Sequence, residues 1–180
     1  MVYTSKQAEE AAVLQTANAI CAAIRTAPKT KGQDFLETCI VTGDDLERLA
    51  VRLEGLGAEF GVGFVLRDAA CVRNSAAVVL AGVQNVRRGL NSLCQYCGHD
   101  DCAACSAAGG ECIYGPMDLG IALGSAVSLA ADARVDNRIM FSAGRAAMDL
   151  HFLPEGYGCC IAIALSVSGK SPYFDRKSTR

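Results

Sequence analysis

Tryptophan is absent from this chain of 180 residues, aromatic residues make up only 6%, and there are two histidines and four prolines. With His99 and His151 as the only imidazoles, no Ser-His-Asp arrangement can be argued from spacing. The formal net charge is −2, with acids and bases interspersed. Neither a basic block for nucleic acid nor an acidic tail for a cationic partner is therefore present. No N-x-S/T acceptor occurs, and "MVYTSKQAEE" lacks the apolar core of a secretory leader. The longest apolar stretch, residues 119–131, lies between Asp118 and Asp132 and is too short to span a bilayer. "SGKS" near the end is not a Walker A motif, because the glycine required five residues before Gly169 is Ala164. "GVGFVL" lacks the third glycine of a dinucleotide fingerprint. These absences predict a cytoplasmic protein that engages neither membrane nor nucleic acid.

What the chain does have is apolar residues, 51% of it, in alternating helical and strand-like segments. Residues 7–26 read as a helix with Leu14, Ala17, Cys21 and Ile24 on one stripe. "TAPKTKG" breaks it, and "LETCIVTG" reads as a buried strand. Asp44 with Glu47 forms a capping-box pattern that opens a second helix. Leu46, Leu49, Leu53 and Leu56 share a face of that helix, and Gly55 and Gly57 end it. "GFVLRDAACVRN" suggests a short helix and "SAAVVLAGV" a second buried strand. Asp118 reads as the cap of a helix over 118–133, apolar on every side and rich in Gly, Ala and Ser. "NRIMFS" is a short strand, "AGRAAMDL" a short helix, and "GCCIAIALSV" a third buried strand. Strands that are continuous apolar runs, alternating with helices, predict a single α/β or α+β sandwich domain with a covered sheet. Gly120 and Gly124, four apart on the all-apolar helix, form a flat groove for another helix backbone. This predicts a homodimer with the helix at its interface.

Ten cysteines are present, and five fall within nineteen residues: Cys94, Cys97, Cys102, Cys105 and Cys112, spaced C-x2-C-x4-C-x2-C-x6-C. In a reducing compartment such a cluster reads as metal ligands before disulfides. Zinc knuckles stand roughly 12–20 residues apart, whereas these two are separated by four. Iron–sulfur clusters accept shorter spacings, because the cluster fills the space between the sulfurs. The run Cys94, Cys97, Cys102 is similar to the start of a class of [4Fe–4S] domains, with Cys112 as fourth ligand and Cys105 as spare or alternative. Zinc stays as the alternative metal, and His99 as a candidate replacement ligand. A loop whose thiols bind nothing is the third reading. Cys21, Cys39, Cys71, Cys159 and Cys160 lie in apolar segments and read as small core residues. Cys159 and Cys160, adjacent on a strand, point to opposite faces.

From the cysteine loop onward, "CQYCGHDDC", "MDLGIALGSAVSLAADARVDNRIMFSAGRAA" and "GKSPYFDRK" together resemble a family of uncharacterised prokaryotic proteins described as containing a ferredoxin domain. That resemblance implies an iron–sulfur cluster and names no reaction. The layout of "IRTAPKTKGQDFLETCIV", with a central small-residue helix and a late strand, is similar to the flavin-dependent nitroreductase fold. This second resemblance implies a nitroreductase-like α+β sandwich, an intertwined homodimer and FMN at the subunit interface. Where those proteins begin with an Arg-Ser-x-Arg phosphate clamp, this chain has "EEAAVLQTANAI". Arg25, Lys29, Lys31, Lys170 and Arg176 are the bases available for a flavin phosphate. The expected function is that of a redox protein with an unknown electron donor or acceptor. A non-enzymatic zinc-binding or interaction protein is the alternative.

Overall fold

A computed structural model describes residues 1–174. Its elements in order are α1 (Ser5–Thr26), a 3-10 turn (Thr30–Gly32), β1 (Leu36–Val41), α2 (Asp44–Phe60), α3 (Phe64–Arg73) and β2 (Ala77–Gln84). A 3-10 turn (Asn91–Leu93), α4 (Cys102–Ala107), α5 (Tyr114–Asp132), β3 (Asp136–Met140), α6 (Phe141–Asp149) and β4 (Tyr157–Ser166) follow among the described residues. The four strands form one sheet in the order β1-β2-β4-β3, and every neighbouring pair is antiparallel. Unbroken apolar runs are more usual in parallel sheets. Here they arise because helices cover both faces.

Alternation along the strands sends side chains into two cores. Val78 and Leu80 of β2 and Cys160, Ala162 and Ala164 of β4 meet Leu49, Leu53, Val72 and Ala147 under α2, α3 and α6. Val79, Ala81, Ile163 and Leu165 point the other way, onto Ala17, Ile20, Leu119 and Ala126 of α1 and α5. Cys159 and Cys160 face opposite sides, as the strand period requires. Burial pushes the Cys39 thiol up to about 11 and that of Cys160 to about 12, which suits inert core residues. Gly144 is where α6 crosses β4, since a Cβ there would collide with the Cys160 carbonyl.

Several local expectations shift. The buried stripe of α1 is Val13, Thr16, Ala17, Ile20 and Ile24; Leu14 is exposed and Cys21 half-buried. Both stripes have helical period, and packing against α5 and the sheet selects one of them. Gly43, not Asp44, is the N-cap of α2. Asp44 sits in its acidic first turn, and Glu47 pairs with Arg73 instead of closing a capping box. That helix runs through Gly55 and Gly57 to Phe60, ending at left-handed Gly61. α5 starts at Tyr114, four residues before Asp118, with Pro116 tolerated in its first turn. Asp118 is thus a buried residue of the helix and not its cap. Nor is α5 buried on every side: Met117, Gly120, Ile121 and Gly124 face outward. Among the described residues no helix is long and apolar enough to cross a membrane.

Candidate metal centre

The cysteine-rich segment connects the end of β2 to α5, at the end of the sheet where β1 and β4 begin. Asn91, Gln95, Gly98 and Gly109 have positive φ and fold it back on itself. The first knuckle closes through Cys94 N–H to Asn91 O at 3.1 Å and Gly98 N–H to Gln95 O at 3.0 Å. The Tyr96 N–H reaches Cys94 Sγ at 3.5 Å. Asp101 caps α4, accepting from Ala104 N–H at 2.7 Å, so Cys102 and Cys105 stand three apart on one helical turn. Asn85 staples the far side: its Oδ1 accepts from Cys112 N–H and its Nδ2 donates to Gly110 O.

The outcome is convergence. All five cysteines, with His99, Arg87, Arg88 and Tyr114, line one tight pocket with a cavity volume of about 20 Å³. Cys105 is the most buried of the five, at 1% exposure. Burial pushes its thiol up, Cys97 beside it pushes the same way, and the Arg87 guanidinium pulls it back. Tyr114 is likewise pushed up by burial and by neighbouring Cys94. A Cβ on Gly110 would lie 3.0 Å from His99 Nε2 and 3.1 Å from Cys105 Sγ, so this glycine leaves the room that brings imidazole and thiol together. Arg87 Nε is buried at the pocket wall with no hydrogen-bond partner.

These residues suit a soft, electron-rich group. Five soft donors surround a common space, and an N–H at its wall lacks an acceptor. Among the described residues, no three His, Cys, Asp or Glu side chains converge as a single ion requires. Tetrahedral zinc draws its sulfurs to about 3.8 Å of one another, given Zn–S near ~2.3 Å. A polynuclear cluster occupies the space between more widely set sulfurs. Five cysteines around one pocket are a donor set that an iron–sulfur cluster or zinc can use.

The candidate flavin bases of the end of α1 and the turn after it are already engaged. The Arg25 guanidinium binds Asp34 at 2.8 Å, Glu37 at 3.2 Å and Leu36 O at 2.8 Å. Lys29 Nζ closes the end of α1, donating to Ile24 O, Arg25 O and Ala27 O. Lys31 Nζ donates to Arg88 O at 3.1 Å. Lys170 follows β4, whose ten residues carry it about 30 Å from the cysteine end at ~3.3 Å per residue. Arg176 lies outside the described residues. Among the described bases, Arg25, Lys29 and Lys31 are therefore engaged by the chain's own groups, and Lys170 is set at the far end of β4.

Sequence reasoning missed Arg87 and Arg88. The Arg88 guanidinium, 2% exposed, donates to Asp118 Oδ2 from Nη2 at 3.0 Å and from Nε at 3.3 Å, and to Val86 O from Nη1. It also stacks over Phe35 at 4.6 Å. The other Asp118 oxygen accepts from Thr30 N–H and Oγ1. This buried pair ties the Thr30–Gly32 turn, the cysteine pocket and α5 together. The available signal was "NVRRGL": two adjacent arginines placed directly between an apolar strand and the thiol cluster.

Residues 108–176 match a family described as "Uncharacterized protein containing a ferredoxin domain (DUF2148)". The matched segment includes Cys112 and leaves out the other four loop cysteines. An uncharacterised protein of Archaeoglobus fulgidus is 41% identical over 161 residues, spanning 84% of this chain and 85% of that protein. A nitroreductase family protein from Clostridium novyi NT superposes with a TM-score of 0.60 at 17% identity, covering 85% of this chain and 73% of the other. A nitroreductase with bound FMN from Bacteroides fragilis gives 0.60 at 15% identity, covering 92% and 83%. Likeness at such identities establishes the fold, and it is the expected nitroreductase-like α+β sandwich with a covered central sheet.

Proposed function

This chain belongs to the family of uncharacterised proteins containing a ferredoxin domain, and on that premise we propose that it is a redox protein whose loop holds a [4Fe–4S] cluster. Cys94, Cys97, Cys102 and Cys112 are the preferred ligands, with Cys105 as the alternative fourth. The observation that carries the reading is the convergence of five thiols on one pocket walled by an unpartnered guanidinium N–H. The cluster, when bound, supplies one-electron transfer. The protein's part is to hold and shield it. Asn85 and Asp101 shape the loop, and Arg87 and Arg88 place positive charge beside an anionic group.

The test is anaerobic purification with iron, sulfide and zinc analysis and an absorption spectrum. A brown protein with broad absorption near ~400 nm is expected. Replacing Cys97 with Ser should remove most of the metal, because a hydroxyl is a poor ligand for soft iron. Less than ~0.1 equivalent of both iron and zinc in the wild type defeats the reading. A structural zinc site is the second reading, favoured by the presence of His99 beside the cysteines in the pocket lining. Zinc without iron in the same analysis decides for it.

Two extensions rest on the fold. The first is a homodimer packed through the outward face of α5, where Met117, Gly120, Ile121 and Gly124 form an apolar strip. The second is FMN at that interface. There a second chain would add its own bases to those of the first; Arg25, Lys29 and Lys31 already have internal partners, and Lys170 and Arg176 are the further candidates. Titrating FMN into the apo-protein while following flavin fluorescence tests it. Absence of quenching near ~10 μM, an ordinary range for small ligands, counts against it.

A further inference from the structure

Arg87 is tied down through both Nη nitrogens, and Nε is left over. Its Nη1 donates to Asn85 O at 3.3 Å, and its Nη2 donates to Gly110 O at 2.5 Å and points at Cys105 O at 3.5 Å. The guanidinium plane is thereby fixed between the exit of β2 and the end of α4. A fixed plane leaves Nε no freedom to seek a partner of its own, and Nε is buried without one. A buried donor left unmade is costly, and buried N–H groups are nearly always satisfied. The acceptor that this nitrogen lacks must therefore come from something that enters the pocket. The pocket is lined by five cysteines, and Arg87 reaches its Cys105 side through Nη2, 3.5 Å from Cys105 O.

We propose that the Arg87 Nε–H donates a hydrogen bond to a sulfur of the cluster in this loop, on its Cys105 side, and that Arg87 is the residue that sets its reduction potential. This rests on the reading of the loop as an iron–sulfur site. Gaining one electron adds negative charge that spreads over the sulfurs. A charge-assisted hydrogen bond and an adjacent cation both favour that more negative state. Arg87 thus raises the potential. Arg88 cannot do the same work, because its Nε and Nη2 are held by Asp118 and its Nη1 by Val86 O.

The experiment compares anaerobically prepared full-length wild type, Arg87→Gln and Arg87→Lys by metal and sulfide analysis. Their one-electron midpoints are read by electron paramagnetic resonance during titration with dithionite, which supplies the electron. With iron content unchanged, Arg87→Gln should reduce the ratio of reduced to oxidised protein at the wild-type midpoint about tenfold, a shift of ~59 mV for one electron. Arg87→Lys, which keeps the charge and loses Nε, should shift in the same direction by less. A loaded Arg87→Gln protein with the wild-type midpoint overturns the proposal. Should Arg87→Gln fail to load, wild type grown with 15N-guanidino arginine decides the matter by pulsed resonance. A nitrogen coupling to the reduced cluster that disappears in Arg87→Lys supports the hydrogen bond, and its absence in the wild type refutes it. An iron-free wild type is a different failure, that of the cluster reading, and it shows in the metal analysis before any variant is compared.

Discussion

Replacing Asp118 with Ala should destabilise the protein more than any other single change near the cysteine pocket. The carboxylate is 1% exposed and accepts four hydrogen bonds: from Thr30 N at 3.0 Å, Thr30 Oγ1 at 2.8 Å, and Arg88 Nη2 and Nε at 3.0 and 3.3 Å. Its removal leaves a guanidinium with 1% side-chain exposure, holding only Val86 O and the face of Phe35. Breaking a buried ion pair from one side costs about 3–5 kcal/mol. That is a large share of the 5–15 kcal/mol by which a domain typically exceeds unfolding. At roughly 2–4 °C per kcal/mol for a chain of this size, the midpoint should fall by about 6–20 °C. Asp118→Asn keeps an acceptor for Thr30 and should cost less. The decisive comparison is the double change Arg88→Met with Asp118→Leu, which removes both charges and should recover at least half of the loss. Urea denaturation at pH 7 of the wild type, Asp118→Ala, Asp118→Asn, Arg88→Met, Asp118→Leu and the double variant measures this. A loss below ~1 kcal/mol for Asp118→Ala, or a double variant as unstable as the sum of the singles, would refute the claim that the pair is coupled.

Gly144→Ala should destabilise by about 1–3 kcal/mol or fail to fold, because its methyl group meets the Cys160 carbonyl on β4; an unchanged thermal midpoint would contradict the close packing of α6. Gly124→Leu tests the dimer cleanly, since a Cβ at Gly124 meets nothing within 4 Å and the single chain should fold normally while association is lost. Sedimentation of the wild type as a monomer at high micromolar concentration would end that proposal. Stability should fall in acid. At Asp34 burial raises the carboxyl, but the hydrogen bonds from Arg25 and the Leu36 N–H outweigh it; at Asp149 Arg145 and Arg52 do the same, so both are held below the ordinary carboxylate range. A depressed folded value means that the unfolded chain takes up protons first, so this stabilisation is present above about pH 4 and is lost as pH falls through the folded values. Asp34→Asn with Asp149→Asn should flatten the fall in urea midpoint between pH 5 and 3, and an unaltered slope would show that these carboxylates do not drive it.

Much of this protein was legible in its sequence because the relevant physics is local. The apolar runs over β2 and β4 could only be covered strands. The leucine spacing of α2 reads as a helix face, and five thiols in nineteen residues marked the segment as the candidate site, although nineteen residues could span roughly 60 Å if extended and only the fold gathers them at one pocket. What the sequence left undecided involves choices between locally equivalent arrangements. α1 carries two adjacent stripes of the same period, and contact with α5 and the sheet chose Val13 over Leu14. Asp118 has the chemistry of a helix cap as well as of an ion-pair partner. It became a partner because Arg88, thirty positions earlier, and Thr30, eighty-eight earlier, arrive at the same buried point. Arg87 and Arg88 are neighbours of one chemical type. Only the tertiary structure gives one a carboxylate and turns the other to the cysteines, because the acceptor each nitrogen finds depends on residues far away in the chain.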